Sequence, residues 1–381
     1  MTQTFLITGA RAPAALHLAR LLNDAGQRVL LADSMAHPMA ARSAACARYV
    51  QLPSPRFDMA AYRGALQRVL HEDAVDLVIP INEEVFYLGQ VWADTDMPCP
   101  LYAPHMDQLR ETHNKYTFVM RAAAMGLDVP DTHLLQSSDD LDAMRAFAGD
   151  LVFKPVWSRF ASQVLIRPDA AELDKITPTP AAPWVAQSYV AGEEICTYAL
   201  ASHGKLTALA KYTIPYRAGD GAGIYLVPVT DGAVREFVTR FVAETNWNGQ
   251  ISFDFIRTSD GSALPLECNP RATSGIHFFR DGHAFLAGLS GCEILPDVTT
   301  PQTLPLAMWI FALSLRNFGQ FCADLRQAGN VLKWQGDPTS AYRQLRSFAE
   351  IIGIALRDRI SLKDATTRDI EWNGPDQGAM R

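Results

Sequence analysis

DFIRTSDGSALPLECN, at residues 254–269, predicts two strands joined by a turn at 259–261. Side chains alternate between the faces of a strand, so Glu267 and Asn269 share a face and Asp254 can lie opposite them. The flanking side chains are large and apolar, which makes a merely solvated polar face an unusual alternative. Because Mg²⁺ and Mn²⁺ prefer oxygen donors, the stretch predicts a metal site formed by Asp254, Glu267 and Asn269.

A lysine stands in the middle of another apolar stretch, LVFKPV at residues 151–156. Burying Lys154 is costly unless its ammonium group meets an anion, and a triphosphate would supply one. Taken alone, Lys154 is also compatible with an edge strand, and Lys115 with an exposed helical position. Their interpretation therefore depends on what surrounds them along the chain.

A third polar stretch, AQSYVAGEE, covers residues 186–194. Gln187 offers an amide donor and acceptor, and the backbone of a strand presents the alternating groups that an adenine edge needs. Glu194 follows within reach of a ribose. The alternative for this stretch is a plain strand and turn that carries two acids.

Residues 1–105 alternate between strand and helix patterns, which predicts a doubly wound α/β unit. The predicted strands lie at 4–8, 28–33, 49–53 and 76–81. The turn TGARAP after the first strand has only one glycine of the dinucleotide fingerprint, so a structural turn is favoured over a cofactor site. Beyond residue 111 the pattern predicts a mostly antiparallel sheet, and the last 80 or so residues are predicted to be largely helical.

The order and spacing of these stretches resemble the ATP-grasp superfamily, specifically a carboxylate–amine ligase and the single ATP-grasp units of carbamoyl-phosphate synthase. The resemblance implies an α/β plus α+β fold, with a doubly wound pre-ATP-grasp domain and a helical C-terminal segment. The implied boundaries are 1–105 for the pre-ATP-grasp domain, 106–183 for the small subdomain, 184–300 for the large nucleotide- and metal-binding subdomain, and 301–381 for the C-terminal segment.

The resemblance also implies individual roles. Lys115 and Lys154 resemble the two lysines that contact phosphate oxygens, and Arg271 resembles the arginine that steadies a phosphorylated intermediate, so Lys154 and Arg271 are the expected catalytic residues. The expected ATP contacts are completed by Gln187, by the backbone of Ser188 and Val190, by Glu194 on the ribose and by Leu266 on the adenine face. One difference stands out: the loop at 156–163, VWSRFASQ, lacks the glycines with which many members cover the phosphates.

Three further residues are candidates for substrate binding. Arg217 lies in the glycine-rich stretch IPYRAGDGAG at 214–223 and is a candidate partner for a substrate carboxylate, although a solvated loop arginine fits as well. His277 is a candidate base or orienting group, with a packing histidine as the alternative. Glu83 follows the fourth predicted strand and is a candidate for an ammonium group, with helix capping by Asn82 and favourable charge at a helix start as the alternative.

Composition excludes several classes of protein. The chain has 34 Lys plus Arg and 41 Asp plus Glu, a net charge of −7 that argues against nucleic acid as the main partner. Its six cysteines form no C-x-x-C pair, and neither a secretory signal nor a membrane-spanning run is evident. We therefore expect a cytoplasmic protein that acts on small molecules and has no membrane partner, and a homodimer is left open.

These features together predict an ATP- and magnesium-dependent enzyme that activates a carboxylate as an acyl phosphate and joins it to an amine. Two alternatives use the same fold: a kinase or carboxylate–thiol ligase, and a nucleotide-binding module without catalysis. The full set of predicted phosphate, ribose and metal residues speaks against the last of these. Nothing in the sequence identifies the carboxylate or the amine.

Overall fold

The computed structural model describes residues 2–157, 163–219, 222–313, 316–337 and 341–374. Within them lie three sheets, one parallel and two built mainly from antiparallel pairs, with helices on their faces. Every helix in these ranges is too short or too polar to cross a bilayer. The mixed α/β and α+β class predicted from the sequence is confirmed.

The first sheet is parallel and has the order β3-β2-β1-β4. Its strands are β1 Thr4–Thr8, β2 Arg28–Asp33, β3 Arg48–Gln51 and β4 Leu77–Ile79, and its helices are α1 Pro13–Asp24, α2 Met59–Glu72 and α3 Glu84–Asp94. Phe5 packs towards α1 while its neighbour Leu6 packs towards α2, so both faces of the sheet are covered. Strands that are buried on both faces appear in a sequence as continuous apolar runs, and these strands could therefore be predicted.

Two helices lead from this unit into the next sheet: α4 Met106–His113 and α5 Lys115–Ala124. Asn114 caps α5, because its side chain accepts hydrogen bonds from the backbone N–H groups of Tyr116 and Thr117. That cap fixes Lys115 at the first position of the helix. α5 then buries Phe118 against Phe253 of the largest sheet.

The second sheet is antiparallel and has the order β5-β8-β6-β7. Its strands are β5 Thr132–Leu135, β6 Leu151–Pro155, β7 Leu165–Ile166 and β8 Trp184–Ser188. The helices α6 Ser138–Arg145 and α7 Ala170–Leu173 contribute Leu141 and Leu173 to a small core around Phe153. This sheet places the β6 lysine and the end of β8 side by side.

The third and largest sheet has the order β13-β12-β9-β10-β11-β14-β15. Its strands are β9 Glu193–Ser202, β10 Lys205–Ala218, β11 Ala222–Pro228, β12 Gly249–Arg257, β13 Ala263–Asn269, β14 Gln302–Thr303 and β15 Gly329–Asn330, and its helices are α8 Gly232–Glu244 and α9 Gly282–Leu289. α8 and α5 cover one face, while α1 and α9 cover the other. The sheet is therefore clamped between the N-terminal unit and its own helices.

The C-terminal part contains α10 Pro305–Phe311, α11 Phe318–Gln327, α12 Ala341–Asp358 and α13 Leu362–Ala365. After α13 the chain returns to the N-terminal sheet, where Asp369 pairs with Arg11 and Trp372 stacks on Phe86 with ring centroids 4.4 Å apart. The segment is mostly helical as predicted, but β14 and β15 belong to the largest sheet. Two short strands were missed because each spans only two residues.

The strand pairing shifts the predicted boundary between the subdomains. β8 follows the predicted division at 183/184, yet it is hydrogen-bonded between β5 and β6 in the smaller sheet. In the other direction, α5 falls inside the predicted 106–183 unit but packs on the larger sheet. Backbone pairing and apolar packing decide these memberships, and neither can be read from the position of the proline-rich stretch that suggested the boundary.

Candidate active site between the two antiparallel sheets

A cleft of about 490 Å³ lies between the smaller sheet and the largest sheet. Its walls come from β6, β7 and β8 on one side and from β9 to β13 on the other. Every residue predicted to bind nucleotide or metal lines it, and so does one predicted substrate residue: Lys115, Lys154, Gln187, Ser188, Val190, Glu194, Arg217, Asp254, Leu266, Glu267, Asn269 and Arg271.

The predicted metal residues lie together on β12 and β13. Asp254 and Glu267 are direct cross-strand partners, and the register shifts by one residue immediately after Asp254. The Nδ2 atom of Asn269 lies 3.2 Å from Oδ2 of Asp254 and 3.5 Å from Oε1 of Glu267. The hairpin therefore gathers two carboxylates and an amide, as the two-residue period predicted.

The electrostatics of this group suit a divalent cation. Burial, and then the neighbouring Glu267 carboxylate, raise the pKa of Asp254 to about 7. Burial also acts to raise the pKa of Glu267, but Lys115 and Lys154 more than offset it and leave that pKa lowered. A cation bound between the carboxylates would remove the repulsion that now favours a proton on Asp254.

The amide of Asn269 would have to turn over before its oxygen could bind a cation. Its Nδ2 faces the carboxylates, and its Oδ1 accepts a hydrogen bond of 3.1 Å from Nη2 of Arg271. A cation needs the oxygen, so the two ends of the amide would exchange on binding. The ends of an asparagine amide are close to isosteric, so the exchange keeps the packing but gives up the hydrogen bond from Arg271.

Two lysines approach the carboxylates from opposite walls. The Nζ of Lys115 lies 3.3 Å from Oε2 of Glu267. Lys154, from β6, is buried and donates to Oε1 of Gln187 and to the carbonyl oxygen of Leu266, both at 2.9 Å. Burial and then Lys115 lower the pKa of Lys154 to about 8. An anionic ligand would offset both effects.

Gln187 lines the cleft, but its amide makes contacts that the sequence did not predict. Its Oε1 accepts from Lys154 and its Nε2 donates to Oγ1 of Thr132 at 2.9 Å, so both ends of the amide are engaged inside the protein. The side chain therefore orients Lys154 and is not free to read an adenine edge. The sequence could not show this, because Thr132 lies on a strand far away along the chain.

The backbone after Gln187 is only partly available to a base. The N–H of Ser188 donates to the carbonyl oxygen of Asp131 at 2.8 Å, which leaves the carbonyl or hydroxyl of Ser188 for a ligand. The N–H of Val190 has no hydrogen-bond partner among the described residues. Val190 is thus the predicted adenine contact whose donor is open.

Apolar side chains form two walls around this edge. Leu266 was predicted, whereas Val152 and Ile166 from the smaller sheet and Ile256 from the larger sheet were not. Two of these residues could have been found from strand alternation, because residues two positions apart share a face. Val152 stands two positions before Lys154, and Ile256 stands two positions after Asp254. A flat aromatic ring fits between such walls.

Glu194 and Arg217 form an ion pair inside the cleft. Nη2 of Arg217 lies 2.6 Å from Oε1 of Glu194, in a pair that bridges β9 and β10. Cys196, which the sequence reasoning passed over, donates from Sγ to the same Oε1 at 3.6 Å. The role of Glu194 at a ribose stays a prediction. The pair engages the guanidinium of Arg217, which was predicted for a substrate carboxylate.

Arg271 is the cation that remains open. It donates to Oδ1 of Asn269 and to the carbonyl oxygen of Ala272, and it has no carboxylate partner within the described ranges. The loop that carries it also contributes Thr273 and Ser274 to the cleft. An anion in the cleft can therefore meet Arg271 directly.

Two predicted substrate residues lie outside the cleft. His277 lines a second, smaller cavity that adjoins it. Glu83 is buried, and its Oε2 accepts from the backbone N–H of Trp372 at 3.2 Å, so the C-terminal segment engages it in place of a substrate ammonium group. Asn82 does not cap α3, whose capping position is Glu83 itself. The glycine-free loop falls largely on residues 158–162, outside the described residues.

Solved structures of other proteins have a similar fold, although no similar sequence was found. No protein-family model and no curated protein matches the sequence. Among solved structures, N5-carboxyaminoimidazole ribonucleotide synthetase from Thermus thermophilus is similar at a TM-score of 0.62 and 15% identity, over 87% of this chain and 100% of that one.

Two further structures are similar at low identity. L-amino acid ligase from Bacillus licheniformis has a TM-score of 0.59 at 17% identity, over 77% of this chain and 75% of that one. The biotin carboxylase domain of the Hydrogenobacter thermophilus 2-oxoglutarate carboxylase, solved with MgADP and bicarbonate, has a TM-score of 0.59 at 12% identity, over 77% and 71%. At these identities the likeness establishes architecture: the chain has the ATP-grasp fold that its sequence resembled.

Proposed function

We propose that the protein is a magnesium- and ATP-dependent ligase that activates a carboxylate as an acyl phosphate and joins it to an amine. The observation that carries the proposal is the cleft itself, which brings paired carboxylates, two lysines and an arginine to one surface, and this arginine has no carboxylate partner in the described part of the chain. Similar structures named as a synthetase, a ligase and a carboxylase support it. The expected substrates are small molecules.

The two antiparallel sheets act in this proposal as the two halves of a nucleotide grip. Val152, Ile166, Ile256 and Leu266 enclose the base, and Val190 contacts its edge. Glu194 takes a ribose hydroxyl. Lys115 and Lys154 then reach the phosphates from opposite walls, which aligns the triphosphate along the floor of the cleft.

Asp254, Glu267 and Asn269 would hold Mg²⁺ beside the phosphates. When bound, the metal neutralises charge on the β- and γ-phosphoryl oxygens. The residues fit this role, because two half-buried carboxylates lie face to face, and desolvation followed by Glu267 raises the pKa of Asp254. Their own contribution is position: the hairpin fixes both acids on a rigid part of the sheet.

Arg271 holds the substrate carboxylate at the end of the triphosphate. A carboxylate oxygen attacks the γ-phosphorus, the bond to the bridging oxygen breaks, and ADP leaves. The amine nitrogen then attacks the acyl carbon, phosphate leaves and the nitrogen loses a proton, which forms the amide. Lys154 and Arg271 stabilise charge on the transferring phosphoryl group through fixed contacts, so no side-chain nucleophile is required.

The test is ADP release from the purified protein with Mg²⁺, in a matrix of carboxylates and amines. ADP formation that requires both a carboxylate and an amine, with an amide product detected by mass spectrometry, is the expected result. ADP formation that requires a thiol in place of the amine, or a phosphorylated product with no acceptor, would favour the alternative chemistries instead.

A further inference from the structure

A second cavity of about 210 Å³ adjoins the cleft on the side away from the base. Its walls are the start of α1 at Ala12 to Ala14, the segment after β4 at Ile81 and Asn82, and parts of β11 and β14. The two spaces share one wall, to which Gly223, Arg271 and Thr273 contribute among others. A molecule in this cavity can therefore present one end to the phosphate end of the cleft.

The described lining carries a positive charge and no negative one. The described residues around the cavity include no aspartate or glutamate, and their one permanent cation is Arg271 on the shared wall. His277 is kept neutral, because burial and then the nearby Arg280 and Arg20 lower its pKa to about 3. An ammonium group inside the cavity would meet no counter-ion among the described lining residues, so an acid that carries one should bind there more weakly.

The cavity lining combines alkyl groups with a few polar groups whose hydrogen bonding is incomplete among the described residues. Ile224, Leu226, Leu304 and Val331 contribute alkyl groups to the lining, and Asn82, Thr303 and His277 contribute polar ones. The Nδ1 of His277 is buried without a hydrogen-bond partner in the described part of the chain. α1 begins at the cavity with no side-chain cap. The histidine nitrogen suits a neutral polar group. The start of α1 favours partial negative charge, but the described lining offers no cation beyond Arg271 that would pair with a second carboxylate.

The volume limits the ligand. A cavity of about 150 Å³ holds benzene, so one of this size holds on the order of eight non-hydrogen atoms. A ribonucleotide, with its base, ribose and phosphate, is far larger. A branched or cyclic carboxylic acid of modest length fits.

We propose that this cavity holds the carboxylate substrate of the ligase, and that the substrate is a small monocarboxylic acid with an uncharged, largely aliphatic body. Its carboxylate meets Arg271 at the shared wall, facing the triphosphate. Its body lies among Leu226, Leu304 and Val331, with any neutral polar group at His277. The inference rests on the proposed function and narrows it, because it excludes acids that carry an ammonium or a second anionic group in this space.

The experiment uses hydroxylamine in place of the amine, because hydroxylamine traps acyl phosphates as hydroxamates whatever the natural acceptor is. The full-length protein, MgATP and hydroxylamine are incubated with acids that differ only in charge. Leucine is compared with its α-hydroxy analogue and its deaminated analogue, and the last is also compared with a dicarboxylic acid of the same length. Hydroxamate and ADP are measured together.

The expected result is that neutral-bodied acids form hydroxamate with a kcat/KM at least about tenfold above that of their charged counterparts. Hydroxamate from leucine or the dicarboxylate at equal or higher efficiency would overturn the inference and leave the ligase proposal standing. If all of these acids, neutral and charged, fail to give ADP and hydroxamate, the inference is overturned; if a wider range of carboxylates also gives no ADP, the ligase proposal fails with it.

Variants of the wall give a second, independent measurement. Leu304→Ala enlarges the cavity and should move the preferred acid towards a longer chain, whereas Leu306→Ala, an exposed neighbour, should not. Ala14→Asp adds a carboxylate at the start of α1, and Ala14→Asn adds the same volume without charge. The aspartate variant should raise the kcat/KM ratio of leucine to its α-hydroxy analogue by about tenfold over the asparagine variant. Unchanged ratios in both pairs would contradict the proposed location.

Discussion

Asp254 and Glu267 are opposite one another across β12 and β13, and the Glu267 carboxylate adds to desolvation in raising the pKa of Asp254. Glu267 is held ionised by Lys115 and Lys154, while Asp254 has a pKa raised to about 7. Two half-buried acids placed face to face repel one another, and Lys115 lies against Glu267 alone, so a cation between the two carboxylates would relieve the repulsion. The pair thus carries a cost in the free protein that a bound cation recovers.

Replacing one of these acids should separate metal binding from folding. Glu267→Gln keeps the volume and removes the charge that faces Lys115, so MgATP-dependent ADP formation should fall by about 100-fold or more. Glu236→Gln, on the exposed face of α8, is the matched control and should retain wild-type turnover. Wild-type ADP formation by the Glu267 variant would disprove the metal assignment, provided that its thermal unfolding is unchanged.

Gln187 should matter for phosphate binding although it is not expected to touch the nucleotide. Gln187→Leu removes the acceptor that orients the Nζ of Lys154, so KM for ATP should rise by about tenfold with a smaller effect on kcat. Steady-state kinetics with varied ATP measure this. Gln136→Leu, at an exposed position, controls for loss of a glutamine. A fall in kcat at unchanged KM would show that the side chain acts elsewhere.

The buried, neutral His277 should make the folded protein less stable in acid. Its folded pKa is about 3, against about 6.5 for an unfolded chain, so below pH 6.5 only the unfolded chain takes up the proton. Stability is therefore present above that pH and is lost as the pH falls towards the folded value. At about pH 5 the loss amounts to roughly 2 kcal/mol.

The measurement is urea unfolding at about pH 7.5 and about pH 5, for the wild type and for His277→Asn. Between the two pH values, the free energy of unfolding of the wild type should fall by roughly 2 kcal/mol more than that of the variant. Titrating groups other than His17, whose ring lies 4.7 Å from that of His277 and whose pKa His277 helps to lower, are common to both proteins and cancel in the difference. Parallel pH dependences would mean that His277 takes up a proton without cost in the folded state.

The C-terminal segment should stabilise the N-terminal unit through Arg11. Its guanidinium pairs with Asp33 at 2.5 Å and with Asp369 at 2.6 Å, and its side chain is only 7% exposed. Arg11→Met leaves two carboxylates close together without their cation, which should cost about 3–5 kcal/mol. Arg63→Met removes an exposed pair with Asp94 and should cost less than about 1 kcal/mol. Equal losses in denaturant unfolding would contradict the structural role of the segment.

Much of the fold was predictable because it depends on short-range patterns. The strands Thr4–Thr8 and Arg28–Asp33 have the predicted bounds, since both are continuous apolar runs buried on two faces. The hairpin of Asp254 and Glu267 was predictable because strand alternation alone fixes which side chains share a face. Elements of two residues, such as β14 and β15, leave no such pattern.

What the sequence determined by itself is the set of chemical groups and their order along the chain: lysines, then the Glu194 stretch, then the metal hairpin. Tertiary structure decided which of those groups are free. It pairs Arg217 with Glu194, engages Gln187 with Lys154, turns Glu83 towards Trp372 and leaves Arg271 open between two cavities. Such partners lie far apart in sequence, so their contacts depend on how the sheets pack and not on any local pattern.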